Sequence, residues 1–383
     1  MQRTWLVIVT SILFALGLVM VFNTSSAEIL DLDLDRNTHL AIFKQVATAL
    51  IGCLLAYGVG KAGLRRFIRI SPFCLLALTA LLFLCFVPGI GKSVNGSHRW
   101  IVLGGLSFQP SEFVKYMIPA YFIARLSKGG DHSIHFFAFF KVAAILSVPI
   151  FLILIEPNNG TAGVLVMTIG ALSVLAKISW KYWALPLLVV FIVGGVSASQ
   201  LPYVQARLKV YLNPELDLRG RGHQPHQAKI AAGSGQLWGK GPGNSLQKLS
   251  YLPEAQNDYI AAIYAEEFGF VGMFFLIFLY LLFAYFGFSM SFTASSREEC
   301  WMAASVTFLI AFQAFLNLGV VSGLLPSTGL NLPFFSQGGS SLIANITGLG
   351  FILNIQTRED DVKKSVDRRW RIRRPCISRP SAG

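Results

Sequence analysis

Residues 248–272 organise the rest of the chain; they begin Lys248-Leu-Ser-Tyr-Leu-Pro-Glu-Ala-Gln-Asn-Asp258 and continue to Gly272. The first half of this segment is polar, contains Glu254 and Asp258, and holds a proline that opposes continuation of a helix. Its second half leads directly into residues 273–288, which are strongly apolar. A polar half followed by an apolar half predicts a pair of carboxylates at the N-terminal end of a membrane helix. A charge at a lipid boundary is costly unless it is paired or used, so these acids require an explanation.

Composition places the chain in a membrane. It is 54% hydrophobic and 13% charged, whereas a soluble domain is about 25% charged. At roughly 20 residues per span, the 383 residues accommodate about ten helices. Long apolar blocks argue against an outer-membrane barrel, whose strands alternate. The net charge of +13 lies mostly in short basic clusters beside apolar blocks, which favours a role in membrane topology over nucleic-acid binding.

We therefore predict an all-α, polytopic membrane protein. Residues 1–356 form the membrane domain, with one long polar loop at 201–258, and residues 357–383 form a basic tail. The predicted spans are 5–22, 41–60, 73–87, 109–126, 137–155, 161–176, 183–196, 260–288, 301–321 and 342–355.

Lysine and arginine counts orient this bundle. The clusters at 61–69, 125–128 and 177–181, Arg297 and the tail fall on one side, which is predicted to be cytoplasmic, with both termini inside. The long loop and three connections (88–108, the turn at Glu156 and 321–341) then share the outer face. This shared face is the predicted location of a functional site.

The long loop permits two interpretations. It carries seven basic residues, which form either a solvated face or a site for phosphate groups: Arg207, Lys209, Arg219, Arg221, Lys229, Lys240 and Lys248. Its glycine-rich stretch 233–245 matches neither a Walker A motif nor a dinucleotide fingerprint. Close backbone approach to a ligand and a plain flexible loop both remain open there.

Two sets of charged residues could carry chemistry. Glu112 and Lys115 are spaced i, i+3 and should meet on one helix face, as a functional pair or as a pair that joins helices. Asp258 is either the N-cap of the following helix or a general base, and the two roles are compatible.

Metal and hydrolase motifs are lacking. His98 beside Arg99, and the pair His223 and His226, have no carboxylate or cysteine company suited to a metal. The sequence assigns no cofactor, and assistance by a divalent cation is left open. No serine- or zinc-hydrolase motif is present.

Four ordered motifs resemble the SEDS family (shape, elongation, division and sporulation), and the resemblance covers the chain from the second span to the tenth. They are Asn95-Gly-Ser-His-Arg-Trp-Ile101 with Gln109-Pro-Ser-Glu-Phe-Val-Lys115, then Gly243-Asn-Ser-Leu-Gln-Lys248, then Leu252-Pro-Glu-Ala-Gln-Asn-Asp258, and the segment from Gly323-Leu-Leu-Pro to Gly338-Gly-Ser-Ser341. The second motif looks more like the division branch of the family than the elongation branch.

The resemblance implies a peptidoglycan glycosyltransferase that polymerises lipid II at the outer face of the bacterial inner membrane. It also implies work with a class B penicillin-binding protein, a transpeptidase, within the division or elongation machinery, and no nucleic-acid partner. The family's essential aspartate corresponds to Asp258, which becomes the candidate base. Candidate substrate-binding residues are Arg99, Glu112, Lys115, Lys248 and Glu254. Of these, Arg99, Lys115 and Lys248 would steady the pyrophosphate, and Glu254 would be a structural partner of Asp258.

The sequence departs from the family pattern near the candidate base and on the facing connections. Gln256-Asn257 replaces the usual His-Thr, Asn158 replaces an aspartate and Gln337 replaces a tyrosine. These departures bear on how a proton leaves Asp258.

Two other function classes compete with the enzyme. A lipid II flippase would use Glu112, Lys115 and Arg99 as pathway charges and would need no base at Asp258. A non-catalytic scaffold that recruits a transpeptidase would tolerate loss of Asp258.

Overall fold

The computed structural model describes residues 1–32, 39–94, 97–103, 106–127, 136–184, 223–249 and 256–355, with the single residues 188, 192, 205 and 211. The elements bounded within these residues are α1 (Gln2–Leu32), α2 (His39–Ala62), α3 (Leu64–Leu84), β1 (Gly91–Val94), β2 (Ser97–Leu103), β3 (Leu106–Phe108), α4 (Pro110–Leu126), α5 (Phe136–Ile155), α6 (Asn159–Leu175), α7 (His223–Ser234), α8 (Ile260–Phe292), α9 (Arg297–Val321) and α10 (Gly339–Leu353).

The helices form a polytopic membrane bundle, as predicted. Among the described residues, six helices are long and apolar enough to cross a membrane: α1, α2, α3, α5, α8 and α9. Two further apolar helices, α6 and α10, are shorter. The count of ten spans stays a prediction, because most of the seventh predicted span and all of the tail 357–383 lie outside the described residues.

Burial separates the inner helices from those that face lipid. The helix α9 packs against α8, α6 and α4, α2 packs on α10, and α1 packs on α8. Large apolar side chains on the outside of the bundle are exposed, among them Phe43, Leu54, Phe73, Phe137 and Phe274. An exposed apolar surface of this extent is expected where lipid covers it.

The third helix begins earlier than the apolar pattern predicts. We expected it to start at residue 73, with the preceding basic cluster in a connection, and this was wrong. The chain breaks at Gly63, which has φ 81°, and α3 then runs through Arg65, Arg69 and Pro72. Arginine is a good helix former, so the helix extends past the apolar boundary with its charged side chains exposed.

The connection 88–108 contains a small antiparallel sheet, which the all-α prediction did not include. Strand β2 pairs with β1 on one side and β3 on the other. Val94 pairs with Ser97 and Leu103 with Leu106, so each connection is two residues long. The dipeptides at these positions, Asn-Gly and Gly-Gly, are common hairpin signals.

The polar loop 201–258 is also more structured than predicted. Its segment 223–234 forms α7, which packs against α8 and α9. The buried residues of α7 are Ala228 and Ala231, whose small side chains permit close approach. A helix with so few apolar positions gives almost no periodic signal.

The glycine-rich stretch packs on a break in α8. Gly269 has φ 65° and ψ −163° inside that helix. The freed amides of residues 270 and 271 donate to the carbonyl groups of residues 236 and 237, at 2.8 and 3.2 Å. Amides of residues 240 and 241 donate to the carbonyl groups of Glu266 and Glu267, both at 3.0 Å. A Cβ on Gly235 would lie 2.0 Å from the carbonyl oxygen of Ala265, so glycine is required for this approach.

Candidate active site

Asp258 lies at the junction between the long loop and α8. The N-cap position of α8 is occupied by Tyr259, so Asp258 stands one residue before the cap. Its backbone carbonyl accepts a hydrogen bond from Asn317 Nδ2 at 2.8 Å. The same nitrogen donates to the carbonyl oxygen of Leu330 at 2.7 Å. Asn317, on α9, therefore fixes the backbone at Asp258 against the connection that follows α9.

The Asp258 carboxyl group faces that connection directly. A Cβ built on Gly329 would lie 3.7 Å from Asp258 Oδ2, and Gly329 has φ 71°. Asp258 itself is partly exposed. A partly desolvated carboxylate is the type of group that can act as a general base.

A buried polar network supports this junction from inside the bundle. Glu112 Oε2 lies 2.7 Å from Lys115 Nζ, and Lys115 Nζ donates to Gln313 Oε1 at 2.8 Å. Gln313 Nε2 in turn donates to the carbonyl oxygen of Asn331 at 2.8 Å. Gln313 and Asn317 are four residues apart on α9 and share one helix face. The network thus holds both residues 330 and 331 in place.

The structure brings Glu112 and Lys115 together, as the spacing predicted, but not on an open surface. Lys115 is 0% exposed and Glu112 is 6% exposed. Removing one partner of a buried ion pair typically costs about 3–5 kcal/mol, because the other charge is left uncompensated. The pair therefore joins α4 to α9 through Gln313, which also bonds the connection that follows α9.

Sequence reasoning missed Gln313 and Asn317. A signal was present, since two amide side chains spaced i, i+4 interrupt an otherwise apolar span. Polar side chains within a membrane helix usually face the bundle interior.

Arg99 ties the sheet to the turn between α5 and α6. Its Nε donates to the carbonyl oxygen of Glu156 at 2.9 Å, and its Nη2 donates to that of Pro157 at 2.5 Å. These donors thus hold β2 against the turn that the topology placed on the same face.

The Glu156 side chain is a buried acid beside this clamp. It is 0% exposed, and neither carboxyl oxygen has a hydrogen-bond partner among the described residues. The Cys85 thiol lies nearby but donates to the carbonyl oxygen of Leu81. Burial raises the pKa of Glu156 to about 8, with the Arg99 charge opposing that shift. Asn158, where the family has an aspartate, is buried next in this turn.

Lys248 is engaged with a second acid cluster on α8. Its Nζ lies 3.1 Å from Glu267 Oε1 and donates to Asn23 Oδ1 at 2.7 Å. Glu266, fully buried, pairs with Lys240 at 2.6 Å and accepts from Ser245 Oγ at 2.5 Å. The motif 243–248 therefore wraps around these glutamates. Glu254 lies outside the described residues.

Two of the departures from the family pattern are neighbours. The amide of Gln337 donates to the carbonyl oxygen of Gln256 at 3.0 Å, while Gln256 Oε1 accepts from Ser25 Oγ at 3.4 Å. The substituted positions thus meet at the same junction as Asp258, where the long loop contacts the connection after α9.

The predicted grouping of four connections at one end of the bundle is confirmed by their contacts. The amide of Gln109 donates to Ser340 Oγ at 3.0 Å, which joins the start of α4 to the start of α10. A Cβ on Gly160 would lie 2.8 Å from the carbonyl oxygen of Thr328, which brings the α5–α6 turn against the connection after α9.

Across the described ranges, no group of three or more His, Cys, Asp or Glu side chains is arranged to hold a metal. His98 is exposed on β2, and His223 and His226 lie in the first turn of α7.

Comparison with known proteins places the chain among relatives of similar length. The FtsW/RodA/SpoVE family, described as cell cycle proteins, matches residues 3–361. A protein of Legionella pneumophila named probable peptidoglycan glycosyltransferase FtsW is 36% identical over 357 residues, 92% of this chain and 90% of that protein. A protein of Coxiella burnetii with the same name is 36% identical and covers 92% and 95%.

Two solved structures are similar in fold to this chain. One chain, from work titled "Structural coordination of polymerization and crosslinking by a peptidoglycan synthase complex", has a TM-score of 0.72 at 28% identity, with 91% of this chain and 96% of that chain covered. The rod shape determining protein RodA of Thermus thermophilus has a TM-score of 0.66 at 25% identity, covering 91% and 94%. The chain is therefore a member of the FtsW/RodA/SpoVE family of cell cycle proteins.

Proposed function

We propose that this protein is a peptidoglycan glycosyltransferase of cell division, which polymerises lipid II at the outer face of the bacterial inner membrane. The observation that carries the proposal is the position of Asp258, a partly exposed carboxylate fixed by Asn317 where the long loop meets the connection after α9. The names of the relatives, probable peptidoglycan glycosyltransferase FtsW, support the reaction and the role in division.

The reaction requires a base and a stabilised leaving group. A sugar hydroxyl of the acceptor attacks the anomeric carbon of the donor sugar, and the bond from that carbon to the pyrophosphate oxygen breaks. Asp258 takes the proton of the attacking hydroxyl. The polyprenyl pyrophosphate leaves with the electron pair, and positive charge at the site stabilises it.

The described contacts divide the other candidates into three groups. Arg99 lies at the same end of the bundle and is proposed to place positive charge near the pyrophosphate. Lys115 and Glu112 act as positioning residues, because they reach the site through Gln313. Lys248 is assigned to the Glu267 cluster, not to the leaving group.

A transpeptidase is the proposed partner. The solved chain with the TM-score of 0.72 comes from a complex whose title names polymerization and crosslinking. A class B penicillin-binding protein would supply the crosslinking, so the two enzymes would act on one growing strand.

One assay separates the enzyme from its rivals. Purified full-length protein in detergent is given lipid II, with and without the partner transpeptidase, and glycan chains are resolved by gel. An enzyme makes chains with the partner present and stops when Asp258 is replaced by Asn. A flippase or a scaffold makes no chains, with or without the partner, and that result would overturn the proposal.

A further inference from the structure

A basic cavity lies at the end of the bundle opposite Asp258. Its volume is about 740 Å³, and it is lined by the start of α3, the end of α4 and the start of α9. Arg297 at the start of α9 and Asn317 near its end are separated by about 30 Å at 1.5 Å per residue. The cavity is thus distinct from the candidate active site.

Four guanidinium groups surround this cavity. Arg65 and Arg69 come from α3, Arg125 from α4 and Arg297 from α9, with Glu298 as the single carboxylate among the lining residues. Three helices therefore contribute positive charge to one space. A run of basic residues along one exposed segment would not converge in this way.

None of the four arginines forms an ion pair with an acid in the part of the chain that the structure describes. Arg125 donates to Tyr121 Oη at 3.0 Å and lies over that ring, so its position is fixed. Like charges gathered without a counter-ion repel each other, and a bound anion removes that cost.

The other residues that line the cavity indicate what else a ligand could contact there. Ser127 Oγ is buried and has no hydrogen-bond partner among the described residues, so it is available to an anion. Ile68, Pro72 and Ala124 add apolar surface. Their helices continue into the apolar bundle, so the cavity combines a charged mouth with an apolar wall.

We propose that this cavity binds the phosphate group of an anionic phospholipid, with the arginines on the headgroup and the apolar wall against the first carbons of the acyl chains. Arginine recognises phosphate through charge-assisted, often bidentate hydrogen bonds. Basic pockets between membrane helices are suited to such headgroups. On the predicted topology the lipid belongs to the cytoplasmic leaflet, and the site is independent of the proposed glycosyltransferase activity.

The test measures lipid binding to the purified full-length protein by native mass spectrometry. Phosphatidylglycerol, cardiolipin and phosphatidylcholine with the same acyl chains are titrated separately. We expect the two anionic lipids to bind at least fivefold more tightly than phosphatidylcholine. Equal binding of all three would overturn the proposal.

Matched variants locate the site. The double variant Arg65→Gln with Arg69→Gln removes two charges from the cavity, and we expect at least fivefold weaker binding of phosphatidylglycerol. The control Lys61→Gln with Arg66→Gln removes two exposed charges from the same region that do not line the cavity, and we expect less than a twofold change. Equal losses in both would indicate general electrostatic attraction and overturn the proposal.

Two further arms complete the test. Arg297 lies on a different helix, so Arg297→Gln should also weaken binding severalfold, which keeps the test decisive if the double variant does not fold.

Inorganic phosphate and glycerol 1-phosphate are added as competitors at millimolar concentration. Little competition is expected, whereas full displacement of phosphatidylglycerol would identify a soluble phosphate as the ligand and overturn the lipid assignment.

Discussion

Two sets of carboxylates near the start of α8 differ in how the protein holds them. Glu266 and Glu267 are buried and accept hydrogen bonds from lysine, serine and backbone donors of the loop around them. Asp258 is partly exposed, and Asn317 holds it by its backbone carbonyl. A fully buried carboxylate that is paired inside the protein stabilises a fold. A carboxylate that is kept near the surface is suited to meet a substrate.

The largest expected effect on stability follows from replacing Glu266. Glu266→Ala removes the acceptor of Lys240, Ser245 and the amide of Gln247. We expect a loss of about 3–5 kcal/mol in the free energy of unfolding, seen as a large drop in Tm or in the yield of folded protein. Asp258→Asn is the control and should have a Tm close to that of the unchanged protein. Similar Tm losses in both variants would contradict the distinction between the buried glutamates and Asp258.

The second prediction concerns the residue that holds Asp258. Asn317→Leu removes the hydrogen bonds to the carbonyl groups of Asp258 and Leu330, so we expect polymerisation of lipid II to fall by about 10- to 100-fold, the scale set by misplacing a catalytic group by about 1 Å.

Its matched control is Asn354→Leu. Asn354 also bonds a carbonyl group through its side-chain amide, that of Gly60, but lies just past the end of α10. This change should cost about 1 kcal/mol of stability and leave the rate of polymerisation nearly unchanged. Equal rates for the two variants would show that Asn317 has no positioning role.

The third prediction tests the space beside the carboxylate. Gly329→Ala adds a methyl group 3.7 Å from Asp258 Oδ2 at a residue with φ 71°, and we expect polymerisation to fall several-fold. Gly243→Ala introduces a similar backbone strain at φ 79° with no atom within 4 Å. Both should lose about 1–2 kcal/mol of stability. If Gly243→Ala reduced the rate as much, the effect of Gly329→Ala would be one of backbone strain alone.

The last prediction concerns the pH dependence of stability and not the rate of polymerisation. The pKa of Glu156 is about 8 in the folded protein and about 4.3 in an unfolded chain. Between these values the folded state binds the extra proton, so stability falls as pH rises from about 4.5 to 8 and is level above.

Thermal unfolding between pH 5 and pH 9 checks this dependence. Glu156→Gln should flatten the fall in Tm, while Glu298→Gln, near the start of α9, should keep it. A variant Glu156→Gln with the full pH dependence would contradict the assignment of the proton to Glu156.

The sequence predicted much of the fold, because apolar blocks, basic clusters and prolines report directly on membrane spans. The Glu112–Lys115 pair and the shared location of four connections also followed from spacing and charge. The sheet and α7 were missed, since their strands are short and the buried residues of α7 are small. The pairing of Lys248 with Glu267 could not be predicted either, because the break at Gly269 and the loop packed on it bring these residues together only in three dimensions.

The most direct measurement compares Asp258→Asn with Glu267→Gln in polymerisation of lipid II, at equal amounts of folded protein. We expect Asp258→Asn to lose more than 100-fold in rate, the scale of lost general-base catalysis, with its Tm unchanged. We expect Glu267→Gln to keep the rate within about fivefold while its Tm falls by the loss of a buried pair. An active Asp258→Asn variant, or an inactive Glu267→Gln variant with an unchanged Tm, would contradict the account.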